Sequence, residues 1–372
     1  MKKLLVTFFS LFLVNISFSQ KTALEFWAAG FEKEMAGDYP AALDNYNKAI
    51  DLKADFSKAY YNRGNVKVLL KDLRGALEDY SKVIELKPTY PLAYNNRGIV
   101  KFNLGDYKAA LEDYNKAIDQ QSDNAEFYYN RGLVKTELKD YESAIKDFNR
   151  AIGENPDYYM AYVYRAIAKG STDDTKGESD DFEKAVALRP DAAEAFYYRG
   201  VSTERKKGVK AALPDYEKAI DVDPKYDKAY MKRALFRFNS ELYSAAIKDF
   251  SKAIELDSGI VDAYFFRGLS KSRFKDYRGA IKDYSKVIEF KPDFYKAYYN
   301  RGVAKSEMED YRGAIDDFNK TVELKPDFSN AFFNRGNAKY LSGDKDGACL
   351  DFSKAGEMGD TEAYEIIKLH CR

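Results

Sequence analysis

Histidine occurs once in these 372 residues, tryptophan once and cysteine twice. That scarcity removes whole chemistries. The single imidazole, His370, stands near the C-terminus, and no Ser/His/Asp set, Cys/His pair, phosphate-cradling loop or dinucleotide-binding glycine fingerprint is present. The chain therefore reads as no enzyme, with no cofactor and no metal. An excess of charge is missing too: Lys+Arg and Asp+Glu are 60 each, so no net field draws the chain to nucleic acid or to an anionic membrane. Long apolar runs are also absent. The stretch from Leu4 to Val14 is eleven residues, short of the ~20 that a membrane span needs.

What is present is one 34-residue unit written ten times without insertion or deletion, its copies starting near residues 23, 57, 91, 125, 159, 193, 227, 261, 295 and 329. The fourth position is aromatic in every copy, from Phe26, Tyr60 and Tyr94 to Phe332. So is the twenty-fourth, from Tyr46 and Tyr80 to Phe352. The eighth is Gly or Ala throughout, and the twentieth is Ala except in the fifth copy, where Glu178 stands. A fixed period of this length signals stacked units, none of which can bury its apolar face alone. A globular catalytic core is excluded.

One copy shows the local logic. From Ala59 to Leu70, Tyr60, Gly64 and Val68 recur at helical spacing. Asp72 stands where a second helix begins, able to accept unpaired N–H groups of its first turn. That helix carries the stripe Ala76, Leu77, Tyr80, Val83 and Ile84, and Pro88 ends it. Each unit is a helix–turn–helix hairpin. Residues 361–372 read as one more helix, with Ala363, Ile366 and Ile367 on its apolar face, capping the open end of the stack.

The order aromatic, small, Ala, aromatic, Pro across 34 residues resembles the tetratricopeptide repeat over residues 23–360. The resemblance implies an all-α solenoid: a right-handed superhelix of ten antiparallel hairpins over 20–360, closed by a capping helix at 361–372. It further implies a concave groove lined by the first helices, binding a protein or peptide segment through the second, fifth, sixth, ninth, twelfth and thirteenth positions. The candidate partner-binding residues are then Tyr61, Tyr129, Tyr197, Phe265, Tyr299 and Phe333 at the fifth position, with Trp27 in the first copy. At the sixth they are Asn62, Asn96, Asn130, Asn300 and Asn334. Asn can pair with an extended backbone, and Tyr supplies rigid contact area with a polar tip; the alternative is that some fifth-position aromatics only pack against adjacent first helices. The RNA-reading pentatricopeptide family is less similar, since its unit is one residue longer and a basic groove is lacking here. The Lys/Asn/Arg clamp of chaperone-binding members is missing as well: Asn65 and Asn96 match, but Tyr61, Glu126 and Asn130 hold the cationic positions.

The chain departs from that family in its charges. Arg fills the seventh position in nine copies, Lys or Arg the eleventh in nine, and Asp the twenty-third in nine. The first copy lacks both Arg and Asp, carrying Ala29 and Asn45. Paired absence predicts paired presence, an Arg–Asp bridge between the two helices of a hairpin; the alternative is two solvated charges that never touch. The fifth copy, with Gly170, Gly177 and Glu178, is expected to form a frayed hairpin or a flex point. Its acidic cluster lacks the spacing of a calcium loop.

Residues 1–19 carry the layout of a secretory signal: Lys2 and Lys3, the apolar stretch, then Ser17-Phe18-Ser19 before Gln20. The expectation is an exported chain, periplasmic or extracellular, with no membrane span after cleavage. Cys349 and Cys371 can then form a disulfide, or Cys349 can sit as a small apolar residue where other copies carry Leu or Ile. Together these features predict an exported, non-enzymatic scaffold that docks a protein segment. The alternative is a glycan-binding module using the groove aromatics.

Overall fold

The computed structural model describes residues 21–371, so the segment assigned to the export signal lies outside it. The described residues form 21 helices and no strand. They gather into two compact units, one ending at Asp174 and the other starting at Thr175. The first holds four complete hairpins and the helix Tyr159–Gly170. The second opens with Thr175–Leu188, continues through five hairpins and closes with Thr361–His370. In the second copy the hairpin is Ser57–Leu69 followed by Leu73–Leu86.

The turn between paired helices is set by two adjacent positions. The first takes a left-handed backbone, supplied by glycine at Gly37 and Gly105 but by lysine at Lys71 and Lys139. The second is the Asp expected to start the next helix. Asp72 accepts a hydrogen bond from the Gly75 amide at 3.0 Å, and Asp38, Asp106, Asp140, Asp276, Asp310 and Asp344 cap their helices the same way.

Packing within a hairpin centres on the twenty-fourth residue. Tyr46, Tyr80, Tyr216, Tyr284, Phe148, Phe250 and Phe318 are all fully buried. Each lies against the small eighth residue of its own first helix. A Cβ on Gly64 would sit 2.8 Å from the Tyr80 ring, closer than carbon atoms tolerate, which is why glycine is found there. The buried Ala of the twentieth position joins this aromatic to the next copy's first helix, as in the clusters Ala76–Tyr80–Val100 and Ala110–Tyr114–Val134. Neighbouring hairpins thus share one core.

The predicted Arg–Asp bridge is present and larger than expected. Arg267 grips Asp283 with two hydrogen bonds, Nε at 2.9 Å and Nη2 at 2.7 Å. Lys271 adds a third contact at 2.8 Å, and Arg267 also donates to Ser251 of the preceding copy. The same triad forms at Asp79, Asp113, Asp147, Asp249, Asp317 and Asp351. Copy six has Thr203 at the eleventh position, so its Asp215 pairs with Arg199 alone and is 14% exposed, against 3–6% in the complete triads. The guanidinium reaches backwards to the previous hairpin. The first copy, with Ala29 and Asn45, has neither member of the bridge.

The fifth copy differs from its expectation. Its second helix, Thr175–Leu188, has the same fourteen residues as most of the others. Glu178 is buried, accepting from Ser202 Oγ at 2.5 Å and Arg205 Nη2 at 2.7 Å. Lys206 brings its ammonium within 2.7 Å of the second oxygen, outside hydrogen-bond geometry, so that oxygen has no hydrogen-bond donor. Removing one partner of a buried pair is costly when it strands the other charge out of water, but Arg205 and Lys206 are 52% and 26% exposed and can turn to solvent, so that penalty is small here. Glu178→Ala, which restores the repeat's own residue, should leave the thermal midpoint unchanged or raised. A fall equivalent to several kcal/mol would mean that the cluster contributes net stability. The boundary between the units falls inside this copy, so hydrogen exchange should be faster at 169–180 than at the matching segments of copies two and eight. Equal protection would remove the flex point.

Thr361–His370 caps the stack as expected, burying Ala363 against Phe352 and Ala355 with Ile366 and Ile367 alongside. The cysteines are paired: Cys349 and Cys371 form a disulfide with Cα atoms 5.7 Å apart, tying the cap to the tenth copy. Closing a loop of this size restricts the unfolded chain by about 3 kcal/mol.

Candidate partner-binding face

The fifth-position aromatics project from the first helices and have the packing role that was the alternative to partner binding, but against rings of the second helix and of the end of the copy. Five of them are wedged between two other rings. Tyr61 lies 5.9 Å from Tyr80 of its own second helix and 5.3 Å from Tyr90, the last residue of the copy. Tyr129 meets Phe148 and Tyr158, Tyr197 meets Tyr216 and Tyr226, Phe265 meets Tyr284 and Phe294, and Tyr299 meets Phe318 and Phe328. Phe333, in the last copy, keeps only its contact with Phe352. A signal for this pairing existed in the sequence. Copies three, five and seven have Asn95, Val163 and Met231 at the fifth position, and they also lack an aromatic at the thirty-fourth, carrying Asn124, Ala192 and Ile260.

The sixth-position amides mostly bond along the stack. Asn62 accepts from Trp27 Nε1 at 3.1 Å and donates to Glu34. Asn96 donates to the Tyr61 hydroxyl at 3.0 Å and accepts from Asn95, which in turn accepts from Asn130 at 2.9 Å. Tyr61, Asn96 and Asn130 thus belong to one polar ladder across copies two to four. In the second unit Asn334 donates to the Tyr299 hydroxyl at 2.8 Å. Asn300 is different. The residue opposite it is Phe265, which has no hydroxyl, so Asn300 bonds back to the Lys296 carbonyl instead.

Burial of these rings has an electrostatic consequence. It pushes the Tyr61 phenol up to about 12, and those of Tyr80, Tyr114 and Tyr284 upward as well. The folded chain therefore keeps these protons at a pH where the unfolded chain, with phenols near 10, loses them. Stability is intact below about pH 10 and falls as the pH rises toward 12. Thermal melts across that window should show the decline; a flat profile would contradict the wedged packing.

Open space lies beside the ladder, over the ninth, twelfth and thirteenth positions. Between copies two and three, Val68, Leu69 and Ile99 wall an apolar cavity of about 230 Å³ rimmed by Asn65 and Asn96. Between copies eight and nine a cavity of about 320 Å³ is lined by Leu269, Arg273, Tyr299, Asn300, Val303 and Glu307. A third, of about 340 Å³, shares Val303 and Glu307 and continues to Asn334, Asn337, Tyr340 and Leu341. Four of the sequence-predicted residues, Asn96, Tyr299, Asn300 and Asn334, line these spaces.

The comparisons with known proteins agree with this architecture. A profile described as TPR repeat matches residues 36–71, 64–105 and 100–138. Profiles described as tetratricopeptide repeat match 125–158, 180–227, 205–259, 261–294 and 295–328, and together these cover well over half of the chain. The chain belongs to the tetratricopeptide repeat family. Tetratricopeptide repeat proteins are scaffolds for protein–protein interaction, and their fold is generally non-enzymatic. No curated protein matches the sequence. Among solved structures, the crystal structure of MamA protein is similar at 22% identity and a TM-score of 0.42, over 46% of this chain and 94% of that one. YrrB, described as a TPR protein with an unusual peptide-binding site, matches at 27% identity and a TM-score of 0.39, over 50% and 95%. Yeast Tom70 matches at 18% identity and a TM-score of 0.33, over 92% and 93%. No helix of the described residues is long and apolar enough to cross a membrane.

Proposed function

We propose that this tetratricopeptide repeat protein is an exported, non-enzymatic scaffold that docks a segment of a partner protein on its first-helix face. The observation that carries the reading is that cavities open beside the first helices in each of the two units. They mix aliphatic floor with amide rim, the combination that seats apolar side chains while pairing with a main chain. The glycan alternative has less support, because the fifth-position rings are wedged between other aromatics and do not offer free faces for stacking on a sugar. Export is supported by the signal-like layout of residues 1–19 and by the Cys349–Cys371 disulfide, a bond that persists in oxidising compartments.

The test begins with the partner captured by the mature chain from its own cell envelope. Leu69→Ala and Asn300→Ala, both on the cavity walls, should each weaken that capture by about tenfold, the size of a moderate hot-spot loss. Helical content should not change. Unaltered capture by both variants would sink the reading.

A further inference from the structure

Arg273 and Glu307 occupy the same position, the thirteenth, in copies eight and nine, and both are exposed at the mouth of one cavity. They are the only charged residues lining it, and the adjoining cavity contains Glu307 alone. Glu307 is steadied by the Tyr277 hydroxyl, which donates to it at 3.1 Å. Among the described residues the two charges do not form an ion pair with each other, and the Arg273 side chain makes no hydrogen bond or ion pair. The seventh-position arginines of the same copies, Arg267 and Arg301, are held by aspartate in the repeated triads, whereas the Arg273 guanidinium lies at the mouth of an open cavity.

We infer that this face reads a charge dipole: an extended partner segment carrying one acidic residue opposite Arg273 and one basic residue opposite Glu307. The inference rests on the docking face proposed above and adds the chemistry of its occupant. Spacing follows from geometry. Neighbouring helices pack roughly 8–10 Å apart, and extended chain advances about 3.3 Å per residue, so the two charges should lie about three residues apart. The basic side chain can lay its stem on Val303 and Leu341 and bring its head to Glu307, with the Tyr340 ring and Asn337 beside it. The acidic side chain meets the free guanidinium, a geometry that favours carboxylates. Opposite charges one repeat apart select against segments of a single sign, because one of the two contacts is then repulsive.

A set of labelled, acetylated and amidated nonapeptides tests this by fluorescence polarisation against the full mature chain at low salt. One Glu and one Lys are placed at each possible separation in both orders, with Glu/Glu and Lys/Lys peptides as controls. Peptides with Glu and Lys three apart should bind best, about tenfold tighter than either single-sign control. Arg273→Glu should shift the preference to Lys/Lys, and Glu307→Lys should shift it to Glu/Glu. Both side chains are exposed, and unchanged melts would show that the variants keep their fold. If no peptide binds, or if neither variant changes the charge preference, the inference is overturned. Peptides that bind without charge preference would leave the docking face standing and remove only the dipole.

Discussion

Replacing Asp283 by Ala should cost roughly 3–5 kcal/mol, the penalty for stranding buried opposite charge. Asp283 is 4% exposed and holds both Arg267 and Lys271, so its loss leaves two cations facing each other beneath the surface. Arg267→Ala should cost less, because Lys271 still neutralises the carboxylate. A double-mutant cycle by urea melts should therefore show strong coupling between Arg267 and Asp283, with unequal single losses. Losses of about 0–1 kcal/mol with additive behaviour would be those of solvated surface pairs and would contradict the buried triad.

A second large loss is expected at the twenty-fourth position. Tyr284 is fully buried against Gly268, Phe265 and Ala280, so Tyr284→Ala should cost about 3–5 kcal/mol. The fourth-position Tyr298 should be less costly. Its ring is half-exposed, with its hydroxyl donating to the Pro292 carbonyl and the Arg301 guanidinium 5.6 Å from its centre. Both positions are aromatic in all ten copies, yet only one column is uniformly core. Equal losses for the two variants would mean that the fourth-position ring contributes as much buried contact as the twenty-fourth.

That difference shows where the sequence stops being readable. Periodicity revealed the hairpins, the capping Asp72 and its counterparts, and the Arg–Asp pairing, because each recurs at fixed spacing in many copies. It could not distinguish a buried aromatic from one lying under an arginine, since both recur equally. The fifth-position rings were legible as first-helix residues, but their wedging against the thirty-fourth residue, 29 residues on, left only the joint loss of both aromatics in copies three, five and seven as its trace. Lys271 stood out as a departure from the family, yet its contact with Asp283 spans twelve residues and two helices. Glu178 looked like a defect in the Ala column. Its burial is compensated by Ser202, Arg205 and Lys206 from the following copy, and no pattern within a single repeat encodes that.

The central claim is that a partner docks on the first helices. It is tested most directly by photo-crosslinking in the native envelope fraction, with the reactive side chain placed in turn at Val303 and Asn337 on the first-helix face and at Lys286 and Lys320 on exposed second-helix positions. Adducts with one partner protein from Val303 and Asn337, and none from Lys286 or Lys320, are the predicted result. Adducts confined to the second-helix positions would contradict it.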